Sequence, residues 1–89
     1  MRHFSISFTY LGNNHQAYVQ KIRSQPVQFT VYNVYPAISG LPEQIVFFSN
    51  PDSDQLICES FDTKYKDVIN VIGSTIFITC AVQKIAIHH

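Results

Sequence analysis

The sequence predicts an α+β fold, in which an antiparallel sheet of four to five strands, in βββββα order, carries one C-terminal helix on one face. Short segments of alternating apolar and polar residues come first, and one long segment with helical periodicity follows. Strands joined by tight turns pair as antiparallel neighbours, and a helix after them packs on one side of the sheet. The 89 residues form one domain, 1–89, near the lower size limit for an independent core.

The strand predictions follow from side chains that alternate with a period of two. Residues 3–10 alternate between apolar side chains and hydroxyls, and the Gly and Asn residues of 11–14 favour a hairpin turn. Residues 15–23 then return as the second arm of the hairpin. Residues 43–49 contain the continuous apolar run Ile-Val-Phe-Phe, which is typical of a strand buried on both faces. The remaining predicted strands cover residues 27–35 and 55–59.

Residues 62–87 are the only part of the chain with helical spacing of apolar side chains, and they begin with residues that cap helices well. Gly73 lowers the helix propensity of this segment, and the β-branched residues after it favour a strand. The alternative is a short helix over residues 63–72, followed by a strand over residues 75–82. We prefer the long helix, because its apolar stripe keeps the same phase on both sides of Gly73.

The low charge of the chain limits its possible partners. Charged residues make up 13% of the sequence, against about 25% in an ordinary soluble domain. Nucleic acids and anionic membrane surfaces require concentrated Lys and Arg, so neither is an expected partner. No apolar run is long enough to span a bilayer and no signal peptide is recognisable, so we expect a cytoplasmic protein. Little charge with much apolar surface favours self-association, because little repulsion keeps copies apart.

Two surfaces of the predicted fold are candidate interfaces. If the large apolar side chains of the strands face the helix, the opposite face of the sheet holds hydroxyls, amides and two tyrosines but no charge. That composition is typical of a recognition surface, although an ordinary polar sheet face shares it. Beyond Ser74 the outward side of the helix also becomes apolar. The candidate interface residues are Tyr18, Gln20, Gln28 and Tyr32 on the sheet, and Phe77, Ile78, Ala81 and Ile85 on the helix.

The histidines predict no catalytic, cofactor or metal site. His3 and His15 lack a partner at metal-ligand spacing, so a surface position is expected for both. The last two residues of the sequence, His88 and His89, are expected to be frayed.

The cysteines and carboxylates also favour structural roles. Cys58 and Cys80 lack the paired spacing of a zinc site, and in a reducing compartment they are expected to be buried thiols rather than a disulfide. The acidic residues near one turn miss the spacing of an EF-hand loop, so they are interpreted as turn and capping residues. These residues are Asp52, Asp54, Glu59 and Asp62.

The sequence therefore predicts a non-enzymatic protein–protein interaction module. The expected partner is a second copy, in a homodimer, or another protein, and no cofactor is implied. The alternative function is a carrier of a small apolar ligand, with a pocket between helix and sheet. Its predicted lining is Phe8, Phe29, Phe47 and Cys80.

Overall fold

A computed structural model of the protein describes residues 2–58 and 62–89, and it confirms the α+β fold. The strands are β1 (Arg2–Tyr10), β2 (Asn13–Ile22), β3 (Gln28–Tyr35), β4 (Gln44–Ser49) and β5 (Leu56–Ile57). A single 3₁₀ turn, Thr63–Tyr65, leads into the helix α1, Lys66–Gln83. The strands pair antiparallel in chain order, β1-β2-β3-β4-β5, so β1 and β5 are the two edges of the sheet.

The turn between β1 and β2 is shorter than predicted. Tyr10 pairs with Asn13, which leaves only Leu11 and Gly12 in the turn. Both have positive φ, 51° and 77° respectively, as the tightest hairpin turns require. Because the turn is so short, β2 begins two residues before the predicted strand 15–23.

A β-bulge in β3 changes which side chains face outward. Between the pairs Gln16–Tyr35 and Tyr18–Tyr32, β2 advances by two residues and β3 by three. Asn33, with φ of 55°, lies in this interval. The extra residue reverses the alternation of β3, so Tyr35 lies on the same side of the sheet as Gln16 and is 77% exposed.

The helix α1 packs against one face of the sheet and confirms the long-helix prediction. The alternative, a strand over residues 75–82, is wrong, since Ile76 and Cys80 are buried on the same helical face as Ile69 and Ile72. Asp62 caps the first turn by accepting a hydrogen bond from the Lys64 N–H at 3.2 Å. The sheet residues predicted to face the helix are all buried: Phe4, Ile6, Phe8, Val19, Val27, Phe29 and Val31.

The helix ends four residues before the predicted limit of 87, and this corrects the position of Ile85. Lys84 takes a left-handed conformation, φ 57°, and the Ile85 N–H donates to the Cys80 carbonyl at 2.8 Å. This is the usual geometry of a helix C-terminus. Because the chain turns here, Ile85 leaves the outward side of the helix and is only 6% exposed.

The end of the predicted strand 55–59 cannot be compared in full, because Glu59 lies outside the described residues. Within the described chain, β5 has two residues, Leu56 and Ile57. They pair with Ser49 and Phe48 of β4.

Cys58 and Cys80 are not joined by a disulfide, as predicted. Cys80 is buried at 1% exposure, whereas Cys58 is only half-buried, so burial was predicted correctly for one of them.

Candidate functional site

The side of the sheet that faces away from α1, here called the outer face, is not covered by any helix of residues 2–58 and 62–89. Its cross-strand rows include Ser5, Tyr18 and Tyr32, which follow one another across β1, β2 and β3. No residue of the outer face is Asp, Glu, Lys or Arg. Its residues are His3, Ser5, Ser7, Thr9, Asn14, Gln16, Tyr18, Gln20, Ile22, Gln28, Thr30, Tyr32, Tyr35, Gln44, Val46, Phe48 and Ile57.

Two tyrosines form the centre of the outer face. The rings of Tyr18 and Tyr32 are cross-strand neighbours, with centroids 5.9 Å apart, and Tyr18 is 54% exposed. The Tyr32 hydroxyl lies 3.5 Å from Nδ1 of His3. A ring held by a neighbouring ring loses little side-chain entropy on binding, so this pair is a suitable contact surface.

The outer face becomes apolar toward β4 and β5. Val46 and Phe48 are half-buried and Ile57 is 40% exposed, although no second layer of the described chain covers them. Thr30, beside Val46, is only 7% exposed, and its hydroxyl accepts a hydrogen bond from Nε2 of Gln28 at 3.1 Å. The apolar run of β4 was predicted to be buried on both faces, but only Ile45 and Phe47 are buried. That run was the sequence signal for the apolar part of the outer face.

A smaller exposed apolar patch lies on α1 and consists of Ile78, Ala81 and Val82, here called the helix patch. Ile78 is 60% and Val82 76% exposed. Phe77, also predicted for this surface, is half-buried beside β5. Ile85 does not belong to the patch, and the prediction missed Val82, although it lies one helical turn after Ile78 on the same side of α1.

The composition of the helix also bears on membranes. The segment Thr63–Gln83 has a mean hydropathy of 1.3 and is long and apolar enough to cross a bilayer. Core helices pass the same test, and Val68, Ile72 and Ile76 of α1 are fully buried against the sheet. Composition alone is therefore weak support for a membrane segment.

An open groove of about 810 Å³ lies between α1 and the β4–β5 edge. Of the predicted ligand-pocket residues, only Phe47 lines it. The other three, Phe8, Phe29 and Cys80, are buried in the core between sheet and helix. The apolar side chains that line the groove, among them Leu56, Ile69 and Phe77, are joined by the polar side chains of Asp54, Gln55, Asn70 and Ser74.

His15 is buried, which corrects the predicted surface position. It is 6% exposed, and its ring stacks on Phe8 with centroids 5.3 Å apart. Its Nδ1 lies 2.7 Å from the Pro36 carbonyl oxygen. Because that oxygen can only accept, Nδ1 is the protonated nitrogen. The alternation of β2 would have placed His15 in the core, in phase with Ala17 and Val19.

Cys80 and the two terminal histidines are the further reactive side chains that the sequence singled out. Burial raises the pKa of the Cys80 thiol to about 11, so it is protonated at neutral pH and a poor nucleophile. The described residues contain no group of three or more His, Cys, Asp or Glu that could hold a metal ion. His88 and His89 were predicted to be frayed, but both contact the rest of the fold. Nε2 of His88 lies 3.9 Å from Oδ1 of Asp54. The main-chain oxygen of His89 accepts a hydrogen bond from Nζ of Lys21 at 2.7 Å.

No protein-family model matches the chain, and neither a curated protein nor a solved structure matches it. The function has to be inferred from the surfaces and side chains of the protein itself.

Proposed function

We propose that the protein is a small non-enzymatic interaction module that self-associates as a homodimer through the outer face of its sheet. The observation that carries the proposal is that this face holds no charged side chain, while it includes a tyrosine pair and an apolar end. Tyr18, Gln20, Gln28 and Tyr32, the residues singled out from the sequence, all belong to it.

The absence of charge makes the outer face self-complementary. An exposed sheet face usually carries Lys and Glu, which keep it hydrated and oppose docking. In a twofold dimer each copy presents the same patch to the other, so a charge near the axis would face the same charge on the partner. A face without charges avoids that repulsion and the cost of burying an unpaired ion.

The size of the molecule is compatible with such a dimer. Its two longer dimensions are 32 and 25 Å. The broad side can therefore supply an area on the order of the 800 Å² per partner that stable interfaces bury. The helix patch, with three residues, is much smaller and is the second choice.

The edge of the sheet offers a further route to the same partner. Proline and charged side chains are the usual means by which an edge strand resists pairing with another chain. Residues 3–9 of β1 contain no proline, Asp, Glu, Lys or Arg. Edge-to-edge pairing along β1 is therefore a second way for two copies to associate, distinct from docking of the outer faces.

The proposal is tested by sedimentation equilibrium of the wild type and of two matched variants. Tyr18→Glu introduces a charge at the centre of the outer face, and Ile78→Glu introduces the same charge on the helix patch. Both sites are exposed, so both variants should fold. We expect Tyr18→Glu to raise the dimer dissociation constant at least tenfold, by about 1.4 kcal/mol or more, and Ile78→Glu to leave it unchanged. A wild type that stays monomeric at hundreds of micromolar would contradict the proposal.

A carrier of a small apolar ligand is the second candidate function, and the groove between α1 and β5 favours it. The groove has the volume of a ligand site, about 810 Å³. Its apolar lining includes Phe47, Leu56 and Phe77. Native mass spectrometry of the purified protein tests this function. A co-purified small molecule that is lost on Ser74→Trp, which fills the groove from an exposed position on α1, would support the carrier, and a mass equal to the bare chain would contradict it.

A cytoplasmic location is proposed with the interaction module. Its support is that no disulfide joins Cys58 and Cys80, as is usual in a reducing compartment.

A further inference from the structure

Four of the six Lys and Arg residues of the chain line one cavity. The cavity has a volume of about 340 Å³ and lies where β1, the end of β2 and the C-terminal end of α1 meet. None of the residues that line it is Asp or Glu. The lining consists of Arg2, Lys21, Arg23, Lys84, Ile85, Ala86 and His89.

We propose that this basic cavity binds a small multivalent oxyanion, such as the phosphate group of a small molecule. The proposal is independent of self-association, because the cavity lies on the helix side of the sheet and the outer face lies on the other. Its volume is at the small end of the roughly 300–1,000 Å³ range of ligand sites, which excludes large ligands.

The strand register brings the positive charges together on one side of the sheet. Arg2 of β1 lies directly opposite Lys21 of β2. Like charges at opposed positions repel and weaken strand pairing. An anion between the two side chains would replace this repulsion with attraction.

Lys21 is an unusual residue for the position that it occupies. It follows Ala17 and Val19 on the buried side of β2 and is only 6% exposed. Burial is the first cause of a lowered pKa of Lys21, and the nearby guanidinium of Arg23 is the second. Its ammonium donates to the carbonyl oxygen of His89 at 2.7 Å. This bond uses one of its three hydrogens.

The helix dipole explains only part of the cluster. Basic residues near the C-terminal end of α1 are favourable, because that end carries roughly half a negative charge. The lining holds four positive charges. The dipole therefore offsets only part of this positive charge, and charge-assisted bonds from Arg and Lys to phosphate are short and strong.

An NMR titration of the ¹⁵N-labelled protein at low ionic strength tests the site, with inorganic phosphate and pyrophosphate as probes and chloride as the monovalent control. We expect saturable shifts at residues 21–23 and 84–86, with pyrophosphate at least tenfold tighter than chloride. Arg23→Gln and Lys84→Gln should each weaken pyrophosphate binding about fivefold. Lys64→Gln removes a charge at the other end of α1 and should have no effect.

A protein expressed with His89 as its last residue carries a carboxylate there, which can compete with the probe. The titration is therefore repeated on a protein extended by Gly-Gly after His89, in which we expect pyrophosphate to bind at least as tightly. If neither protein shows saturable shifts at the cavity, the proposal is wrong. It is equally wrong if Lys64→Gln weakens binding as much as Arg23→Gln, because the effect would then be one of net charge alone.

Discussion

A Cβ atom placed on Gly73 would lie 3.2 Å from Cε2 of Phe47, a few tenths of an ångström closer than an ordinary van der Waals contact, so α1 packs closely against the sheet at this point. Phe47 is 1% exposed and is held in β4. Gly73 therefore marks a close contact between helix and sheet. Its low helix propensity is offset by that packing, and this is why the helix continues through it.

We predict that Gly73→Ala destabilises the protein, although alanine favours helices. The gain in helix propensity is about 1 kcal/mol, whereas crowding a packed core costs about 1–3 kcal/mol. The net loss should be about 1 kcal/mol, measured by urea unfolding.

The double variant Gly73→Ala with Phe47→Leu is the control for this prediction. The smaller side chain at position 47 relieves the crowding, so alanine should then cost less than in the wild type, or stabilise. If the single variant Gly73→Ala is instead more stable than the wild type by about 1 kcal/mol, the contact between Gly73 and Phe47 is not tight.

Gly40 should tolerate alanine less well than Gly12. Both have positive φ, 82° and 77°, so alanine adds roughly 1–2 kcal/mol of backbone strain at either position. A Cβ on Gly12 meets no atom within 4 Å, whereas a Cβ on Gly40 overlaps the hydroxyl of Tyr65. That hydroxyl also donates to the Ser39 carbonyl oxygen at 3.3 Å.

Thermal unfolding of Gly12→Ala and Gly40→Ala measures this difference directly. We expect a lower Tm for Gly40→Ala, and a smaller difference when Tyr65→Phe removes the overlapping hydroxyl. Equal Tm values for the two alanine variants would mean that Tyr65 moves aside at no cost.

His15→Phe should destabilise the fold by roughly 1–3 kcal/mol, because it leaves the Pro36 carbonyl without the imidazole donor. The phenyl ring can still stack on Phe8, so the loss reports the hydrogen bond more than the packing. His3→Phe is the control. His3 is exposed, and we expect a change within about 0.5 kcal/mol. If urea unfolding gives the same loss of unfolding free energy for both variants, the hydrogen bond from His15 to Pro36 does not stabilise the fold.

The sheet and the helix were predictable from periodicity, since the strands alternate and the stripe of α1 keeps its phase across Gly73. The outer face followed from the same alternation. The bulge at Asn33 could not be predicted, because it depends on how β3 pairs with β2. The predicted position of Ile85 was wrong because α1 ends at Lys84, which has a left-handed backbone conformation. Glycine or asparagine at that position would have indicated the end of the helix, whereas lysine does not.

The stability of the fold should fall as the pH rises from 9 to 11. The ordinary pKa of a cysteine thiol is 9.0, and burial raises the pKa of Cys80 to about 11 in the folded protein. The unfolded chain therefore loses its proton first in this range, which favours unfolding. The loss should be on the order of 1–2 kcal/mol.

Urea unfolding of the wild type and of Cys80→Ala, each at pH 8 and pH 10.5, isolates the contribution of this thiol from those of Lys and Tyr. The wild type should lose more stability than Cys80→Ala between the two pH values. An identical loss in the two proteins would mean that Cys80 is not the group responsible.

Isotope-filtered NOE spectroscopy on a mixture of labelled and unlabelled protein tests most directly whether the outer face joins two copies. We predict intermolecular contacts from the rings of Tyr18 and Tyr32, and none from the methyl groups of Ile78. Contacts from Ile78 alone, or no intermolecular contacts at millimolar concentration, would contradict self-association through the outer face of the sheet.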